Sequence, residues 1–263
     1  MMYWTKFRKN RNFLIPYLSA HLVIAIAVVG WQIQNTDWQA YISPSFNWQH
    51  LWLLPFGLII GVQIPVLIHN CVHGNLRPPW LNIVMGELAG VYVLLNLASF
   101  ELNHIMHHAH ADTGMDPHNP HRKNFLSFFF ANNFGGTGPV LEKYLQCHGD
   151  TQGNRARFGL IVFLHFLNVP LRLMFWAMLL GPSLFVLAFV PSYLFHMFVF
   201  AHINFVTHEM VDEETAVVYN LDSNIYYKFV NFFGSGVYYH KNHHLNPRVY
   251  NPKTGASASW LLR

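Results

Sequence analysis

Histidines are the residues of this chain best suited to chemistry. The 263 residues include 18 histidines, more than the 16 lysines and arginines together. Three short groups stand out: HNCVH at 69–73, HIMHH at 104–108 and HKNHH at 240–244. Residues three or four positions apart on a helix project from one face, so each group can direct its imidazoles at a common point. This spacing is typical of metal-binding histidines.

A fourth element, NFVTH at 204–208, places an amide and an imidazole at the same spacing. The candidate set is therefore nine histidines and one asparagine: His69, His73, His104, His107, His108, His208, His240, His243, His244 and Asn204. One ion takes about four to six ligands, so nine neutral imidazoles suit two metal ions. Imidazole with open positions suits iron, zinc or copper, and iron is favoured if the chemistry uses dioxygen.

The two cysteines and the histidines outside these groups limit which kinds of metal site are possible. Cys71 and Cys147 form no CxxC pair, which excludes iron–sulfur and cysteine-rich zinc ligand sets. Several histidines lack partners at ligand spacing, and we assign them to packing or to the membrane interface: His21, His50, His148, His165 and His196. Four others lie near the groups, and their roles stay open: His110, His118, His121 and His202.

The composition places these groups in a membrane protein. Charged residues make up 11% of the chain, against about 25% in soluble proteins, and apolar residues make up 52%. The net charge of +4 is spread beside apolar segments without a continuous basic stripe, which argues against nucleic-acid binding. Cytoplasmic membrane loops explain the basic residues better than a nucleic-acid partner does.

The apolar segments predict the topology. Residues 13–33 and 51–68 are each long enough to cross a bilayer as a helix, and residues 158–201 suit two crossings joined at Gly181-Pro182-Ser183. Lysines and arginines before the first span, and none in the loop after it, place the N-terminus in the cytoplasm. Arg172 lies within the third span, so we expect it to face the bundle interior or to snorkel outward.

Residues 81–100 are apolar but stand between two histidine groups, and both groups must lie on one side of the membrane if they share a site. We therefore expect an interfacial or re-entrant helix there. The predicted fold is an all-α integral membrane protein with about four transmembrane helices in two hairpins, interfacial helices and a cytoplasmic histidine-rich cap. A single domain over residues 1–263 is expected, with both termini and the active site in the cytoplasm.

The motifs HNCVH, HIMHH and HKNHH, with NFVTH before the last, resemble the histidine boxes of the integral-membrane fatty acid desaturase and hydroxylase superfamily. That superfamily also holds alkane hydroxylases and carotenoid ketolases. The order of the boxes and the four-span plan match over about residues 13–247. The resemblance implies that the nine histidines bind two non-haem iron ions and that Asn204 reaches a metal through water or orients a ligand.

Acidic residues near the boxes are expected to support the ligands. Asp116, in an Asp-Pro pair after the second box, resembles the family pattern and is expected to accept a hydrogen bond from a ligand imidazole. A turn aspartate before proline is the alternative. Glu101, three residues before His104, is expected to support the ligands in the same way, and Glu209 beside His208 is a further candidate.

The resemblance implies an enzyme that uses O2 and two electrons to desaturate a fatty acyl chain drawn from membrane lipids. No cytochrome b5 or ferredoxin-like segment stands within the 263 residues, so we expect a separate electron donor of one of these types. A lipid or carotenoid hydroxylase or ketolase is the alternative, because histidine boxes do not distinguish these outcomes. A transition-metal transporter is a distant alternative, since the histidine groups lie beyond the ends of the spans.

Overall fold

The computed structural model describes residues 2–120, 123–210 and 216–253, and within them the chain is mainly helical. The α-helices are α1 (Met2–Lys9), α2 (Leu14–Asn35), α3 (Gln39–Ile42), α4 (Leu54–His73), α5 (Trp80–Tyr92), α6 (Leu97–His110), α7 (Phe125–Phe134), α8 (Thr137–His148), α9 (Gln152–Leu184), α10 (Val190–Thr207), α11 (Ile225–Phe233) and α12 (His240–Leu245). A 3-10 turn, Trp48–Leu53, precedes α4, and a π-helical turn, Phe185–Phe189, joins α9 to α10. Strands β1 (His208–Met210) and β2 (Ala216–Val218) form a small antiparallel pair that the all-α expectation did not include.

In the part of the chain that the structure describes, three helical segments are long and apolar enough to cross a membrane: Leu14–Asn35, Trp48–His73 and Gln152–Thr207. A fourth crossing results if the bent pair α5–α6 is one broken span. The helix predicted at 51–68 continues to His73, where Gly74 ends it in the left-handed conformation with φ 73°. His69 and His73 therefore lie on the last turns of α4 itself.

The segment predicted to hold two crossings changes direction where the sequence places Gly-Pro-Ser. Gly181, at φ 72° and ψ 163°, interrupts the helix. The rings of Trp176, before this break, and Phe189, after it, lie 5.3 Å apart. Ser183 also accepts a hydrogen bond from the backbone N–H of Asn47 at 2.9 Å. The loop after α2 and the break at Gly181 therefore lie at the same end of the bundle.

The histidine groups lie at the opposite end, and close helix packing brings them there. Helix α2 packs along α9, and α4 packs along α10. A Cβ atom built on Gly61 of α4 would lie 2.5 Å from the backbone oxygen of Ser192 on α10. Only glycine permits this approach of the two backbones. It aligns the ends of α4 and α10, from which His69, His73 and His208 project.

Helices α5 and α6 meet at an angle of 96°. Leu94, in the break between them, has a positive φ of 59°, and Arg172 donates to the backbone oxygen of Gly90 at 2.6 Å. Trp176 donates to the oxygen of Val91 at 3.0 Å. Carbonyls at a helix C-terminus lack partners within the helix, so these two donors stabilise the end of α5. Arg172 is buried in the bundle interior, one of the two positions expected for it.

Candidate metal centre

Five histidines from three distant parts of the chain form the first group. His69 and His73 come from α4, His104 and His108 from α6, and His243 from α12. One nitrogen from each lies within 4.8 Å of the corresponding nitrogens of the others. All five belong to the nine predicted from the sequence.

The nitrogens of this first group are too close and too many to be explained by hydrogen bonds. The Nε2–Nε2 distances are 3.0 Å for His69–His243, 2.7 Å for His73–His104, 3.0 Å for His104–His108 and 2.9 Å for His108–His243. A ring nitrogen is either one donor or one acceptor, yet those of His104, His108 and His243 each approach two others. The five nitrogens instead converge as ligands of one centre would.

The second group holds His107, His208, His240 and His244. The Nε2 atoms of His240 and His244 lie 3.1 Å apart. The Nε2 atoms of His107 and His208 are buried and meet no hydrogen-bond partner among the described residues. A buried polar atom without a partner costs about 1–3 kcal/mol, which a bound cation would offset.

Two carboxylates fix the orientation of the second group. Nδ1 of His107 lies 3.0 Å from both carboxylate oxygens of Asp116, and Nδ1 of His208 lies 3.0 Å from both of Asp112. Because a carboxylate accepts, each Nδ1 carries the hydrogen, and each Nε2 therefore presents a lone pair to the centre. This is the usual support for a metal-binding histidine.

The donor set fits metal ions. Imidazole nitrogens bind a metal at about 2.1 Å, so two of them at right angles lie about 3.0 Å apart, which matches the spacings above. Burial lowers the pKa of His240 and His243 well below the usual value, with a further contribution from neighbouring imidazoles. It lowers the pKa of His244 to about 4. These rings are therefore neutral near pH 7, as metal binding requires.

Asn204 and Asp116, which were predicted to support the ligands, both lie beside the histidine groups. Asn204 is buried and lines a cleft together with His69, His104, His240 and His243, and its amide donates to the Phe200 oxygen at 3.1 Å. Asp116 is buried and accepts from His107.

Glu101 was expected to support a ligand imidazole, and the structure instead directs it toward α1. Its carboxylate accepts from the backbone N–H groups of Tyr3, at 3.1 Å, and Trp4, at 3.1 Å. Glu101 precedes His104 by three residues on α6, but the free N–H groups at the start of α1 are strong donors for a buried carboxylate. Its contacts attach the N-terminal helix to α6.

The histidines whose roles were open are absent from the two groups as far as the described residues show. His118 is buried, and its Nδ1 lies 2.7 Å from the Asn132 side-chain oxygen. Nδ1 of His202 lies 2.6 Å from the Tyr238 hydroxyl. His110 follows the second box at the end of α6, and His121 lies outside the described residues.

Asp112 is the residue that the sequence argument missed. It has a positive φ of 65° in the turn after α6, which aims its carboxylate at His208, 96 residues further on. No local motif marks it, whereas Asp116 stands in an Asp-Pro pair. Two aspartates four residues apart after a histidine box are the only signal that could have indicated it.

Two clefts reach the histidines. The first, which we call the apolar cleft, measures about 730 Å³. Its walls are mainly Val62, Pro65, Val66, Val199, Ile203 and Val237, and it reaches His69, His104, His240 and His243. The second, the deep cleft, measures about 1240 Å³ and runs between α6, α9 and α10. An apolar molecule in either cleft would meet His104.

The fold and the site together define a helical protein of membrane type with a buried, two-part histidine centre that could hold metal ions. The chain belongs to the fatty acid desaturase family, whose model matches residues 46–258. The resemblance of the histidine boxes is thereby confirmed, and the family supports an oxidoreductase with a lipid substrate in a membrane environment. Comparison with curated proteins and with solved structures gave no match.

Proposed function

We propose that this protein is a membrane di-iron oxidoreductase that uses O2 and two electrons to desaturate a fatty acyl chain. The observation that carries the proposal is the pair of facing histidine groups, five imidazoles and four, at the end of an apolar cleft. Membership of the fatty acid desaturase family supports the same reading. Nitrogen ligands without thiolates suit iron that works with dioxygen.

In this proposal the first group holds one iron and the second group holds the other. Two iron ions so bound would activate dioxygen to remove hydrogen from an unactivated C–H bond. Asp112 and Asp116 keep the hydrogen on Nδ1 of His208 and His107, so that Nε2 faces the ion. Asn204 is proposed to reach an ion through water or to orient a ligand.

The protein's own contribution is to position the substrate and to exclude water. The valines and the isoleucine of the apolar cleft offer a hydrocarbon chain a surface without hydrogen-bonding groups, beside His69 and His104. A chain held extended there presents neighbouring methylenes to the centre, and their placement decides the outcome. Loss of hydrogen from two adjacent carbons yields an alkene, whereas oxygen transfer yields an alcohol or a ketone.

The same proposal includes the arrangement in the membrane. We infer four crossings in two hairpins, α2 with α4 and α9 with α10, with both termini and the histidine centre in the cytoplasm and residues 1–263 forming one domain. Contact between the loop after α2 and the break at Gly181 supports the pairing. Electrons would come from a separate ferredoxin or cytochrome b5 type carrier that reaches the centre from the cytoplasm.

The test combines metal content with product analysis. Protein purified under iron-replete conditions should contain two iron ions per chain. Supplied with an electron donor and a saturated acyl substrate deuterated at one methylene, it should give an alkene that has lost label and has gained no oxygen. A product that carries an atom from labelled dioxygen would replace desaturation by hydroxylation or ketolation.

His243→Ala is the matched variant for this assay, because His243 approaches both His69 and His108 in the first group. It should lose iron and turnover while retaining the helical fold, since the apolar spans do not depend on that side chain. One tightly bound zinc and no iron in the unchanged protein would end the di-iron proposal.

A further inference from the structure

The deep cleft has polar groups where a plain hydrocarbon chain offers none. His165 on α9 and His196 on α10 line it, together with Asn103 on α6 and Asn132 on α7. Four side-chain atoms of these residues are buried and have no hydrogen-bond partner among the described residues. They are Nδ1 of His165, Nδ1 of His196, the Asn103 oxygen and the Asn132 nitrogen.

His196 lies where the two clefts share lining residues. It is 7% exposed, and it lines the deep cleft and the apolar cleft, as His104 and Phe200 also do. It precedes Phe200 by four residues on α10, one helical turn further from the metal centre. The rings of Phe200 and His196 lie 6.3 Å apart, and that of Phe200 lies 6.1 Å from Phe100, which stacks on His104.

His165 and His196 both lie within membrane-spanning helices. Ionisable side chains are costly there, and they usually serve a substrate or proton pathway and not packing. Both residues lack a partner at ligand spacing and were therefore predicted to serve in packing or at the membrane interface. Their place in one cleft next to His104 gives them a different role.

We propose that the deep cleft binds an acyl chain that carries an in-chain oxygen, a hydroxyl or a carbonyl, and that His165 and His196 hydrogen-bond this oxygen. The proposal rests on the proposed function and deepens it by naming the substrate class: the methylenes that react lie in the apolar cleft, the oxygen-bearing part of the same chain lies in the deep cleft, and His104 and His196 line both. Asn103 and Asn132 lie near the level of the histidine groups, because Asn103 adjoins His104 and Asn132 contacts His118, whose ring lies 5.5 Å from that of His107. A bound chain would therefore meet Asn103 and Asn132 beside the metal centre. It would meet His196 further along, one helical turn before Phe200.

The hydrogen bond would also set the register of the chain. With one oxygen held at His196, a fixed number of methylenes separates it from the carbon nearest His104. The position of the oxygen along the chain then determines which carbon reacts. An imidazole can donate or accept, so both hydroxyl and carbonyl oxygens are suitable partners.

The experiment measures binding and not turnover. Dissociation constants of stearate and of stearates bearing a hydroxyl at successive carbons are measured by quenching of tryptophan fluorescence in the purified full-length protein. One or two adjacent positional isomers should bind about tenfold more tightly than stearate, the effect expected of a buried hydrogen bond. Equal affinities for all isomers and stearate would overturn the proposal and assign the imidazoles to water or packing.

Variants identify the residue responsible. His196→Phe should abolish the preference, scored as the ratio of each isomer's dissociation constant to that of stearate in the same variant, while His196→Gln, which keeps a donor and an acceptor, should retain part of it. His21→Phe, in a span but not lining the cleft, should keep the full preference. If His196→Phe does not fold, His165→Phe replaces it, and a preference that survives in a folded variant of each histidine contradicts the proposal.

Turnover is scored separately. Oxidation of plain stearate with no binding preference would leave the proposed function standing without this inference. Preferential binding with no oxidation of any isomer would support this inference and contradict the proposed function.

Discussion

At the scale of single residues, the two His–Asp pairs explain why the second histidine group can hold an ion. Each aspartate is buried or nearly so and holds one nitrogen of its histidine, and the opposite nitrogen faces the centre. Burial raises the pKa of Asp116, while neighbouring histidines and backbone N–H groups oppose that shift. Burial therefore disfavours the charged carboxylate and hydrogen bonds favour it. An aspartate-to-asparagine substitution, which replaces one carboxylate oxygen by an NH2 group, would remove this charge.

We expect Asp112→Asn to weaken metal binding by about 10–100-fold, because the amide can no longer define which nitrogen of His208 carries the hydrogen. Metal affinity is measured by competition with a chelator, followed by elemental analysis. Asp37→Asn is the control, since Asp37 is exposed in the loop after α2 and accepts only a local backbone hydrogen bond. Unchanged affinity in Asp112→Asn would show that the carboxylate does not orient His208.

At the scale of helices, the site depends on how closely α4 and α10 approach. The two helices carry His69, His73 and, directly after α10, His208. Gly61 lets them pack backbone to backbone at Ser192, whose hydroxyl also hydrogen-bonds Gly57 and Tyr92. A small displacement there would move ligands of both histidine groups relative to each other.

We expect Gly61→Ala to destabilise the protein by about 1–3 kcal/mol, because the added methyl group would overlap the Ser192 backbone oxygen. Gly30→Ala in α2 is the matched control: nothing lies within 4 Å of its Cβ position, so alanine should stabilise that helix by up to about 1 kcal/mol. Both are measured by thermal unfolding in detergent. Equal stability of the two variants would mean that α4 and α10 do not pack as described.

At the scale of the whole molecule, the proposed orientation rests on the distribution of charge along the chain and on the position of the histidine centre. In the proposed topology, the lysines and arginines of the described residues, except Arg172, fall on the side of the histidine groups, and the loop between α2 and α4 has Asp37 and no basic residue. Basic loops stay in the cytoplasm. In this proposed orientation, a separate electron carrier in the cytoplasm would reach the centre without crossing the membrane.

The labelling prediction uses engineered cysteines in a Cys71→Ser, Cys147→Ser background. Cysteine at Ser43, exposed after α3, should react with an impermeant reagent from outside, and cysteine at Ser235 should react only after permeabilisation. Ser235 is half-buried, so the exposed Ser223 provides a second position on the same side. Outside labelling at Ser235 or Ser223 would place the third histidine box on the wrong side and refute the orientation.

Much of the centre could be predicted from local sequence, because a spacing of three or four residues on a helix places side chains on one face wherever that helix lies. The nine histidines, the apolar spans and the break at Gly181 follow from such local rules, whereas the choice between a buried and an outward-pointing Arg172 did not. The sequence also indicated Asp116, through its place after the second box.

Tertiary structure alone decided which of these histidines share a centre. His69 meets His243 across 174 residues and His208 meets Asp112 across 96, and no local periodicity encodes such contacts. The division into five and four follows from the way α4, α6 and α12 converge. Glu101 has the right spacing to support His104, yet its carboxylate accepts from the backbone N–H groups of Tyr3 and Trp4, which have no acceptor within the first turn of α1. Packing between distant elements, which depends on every side chain at the contact, determines these partners.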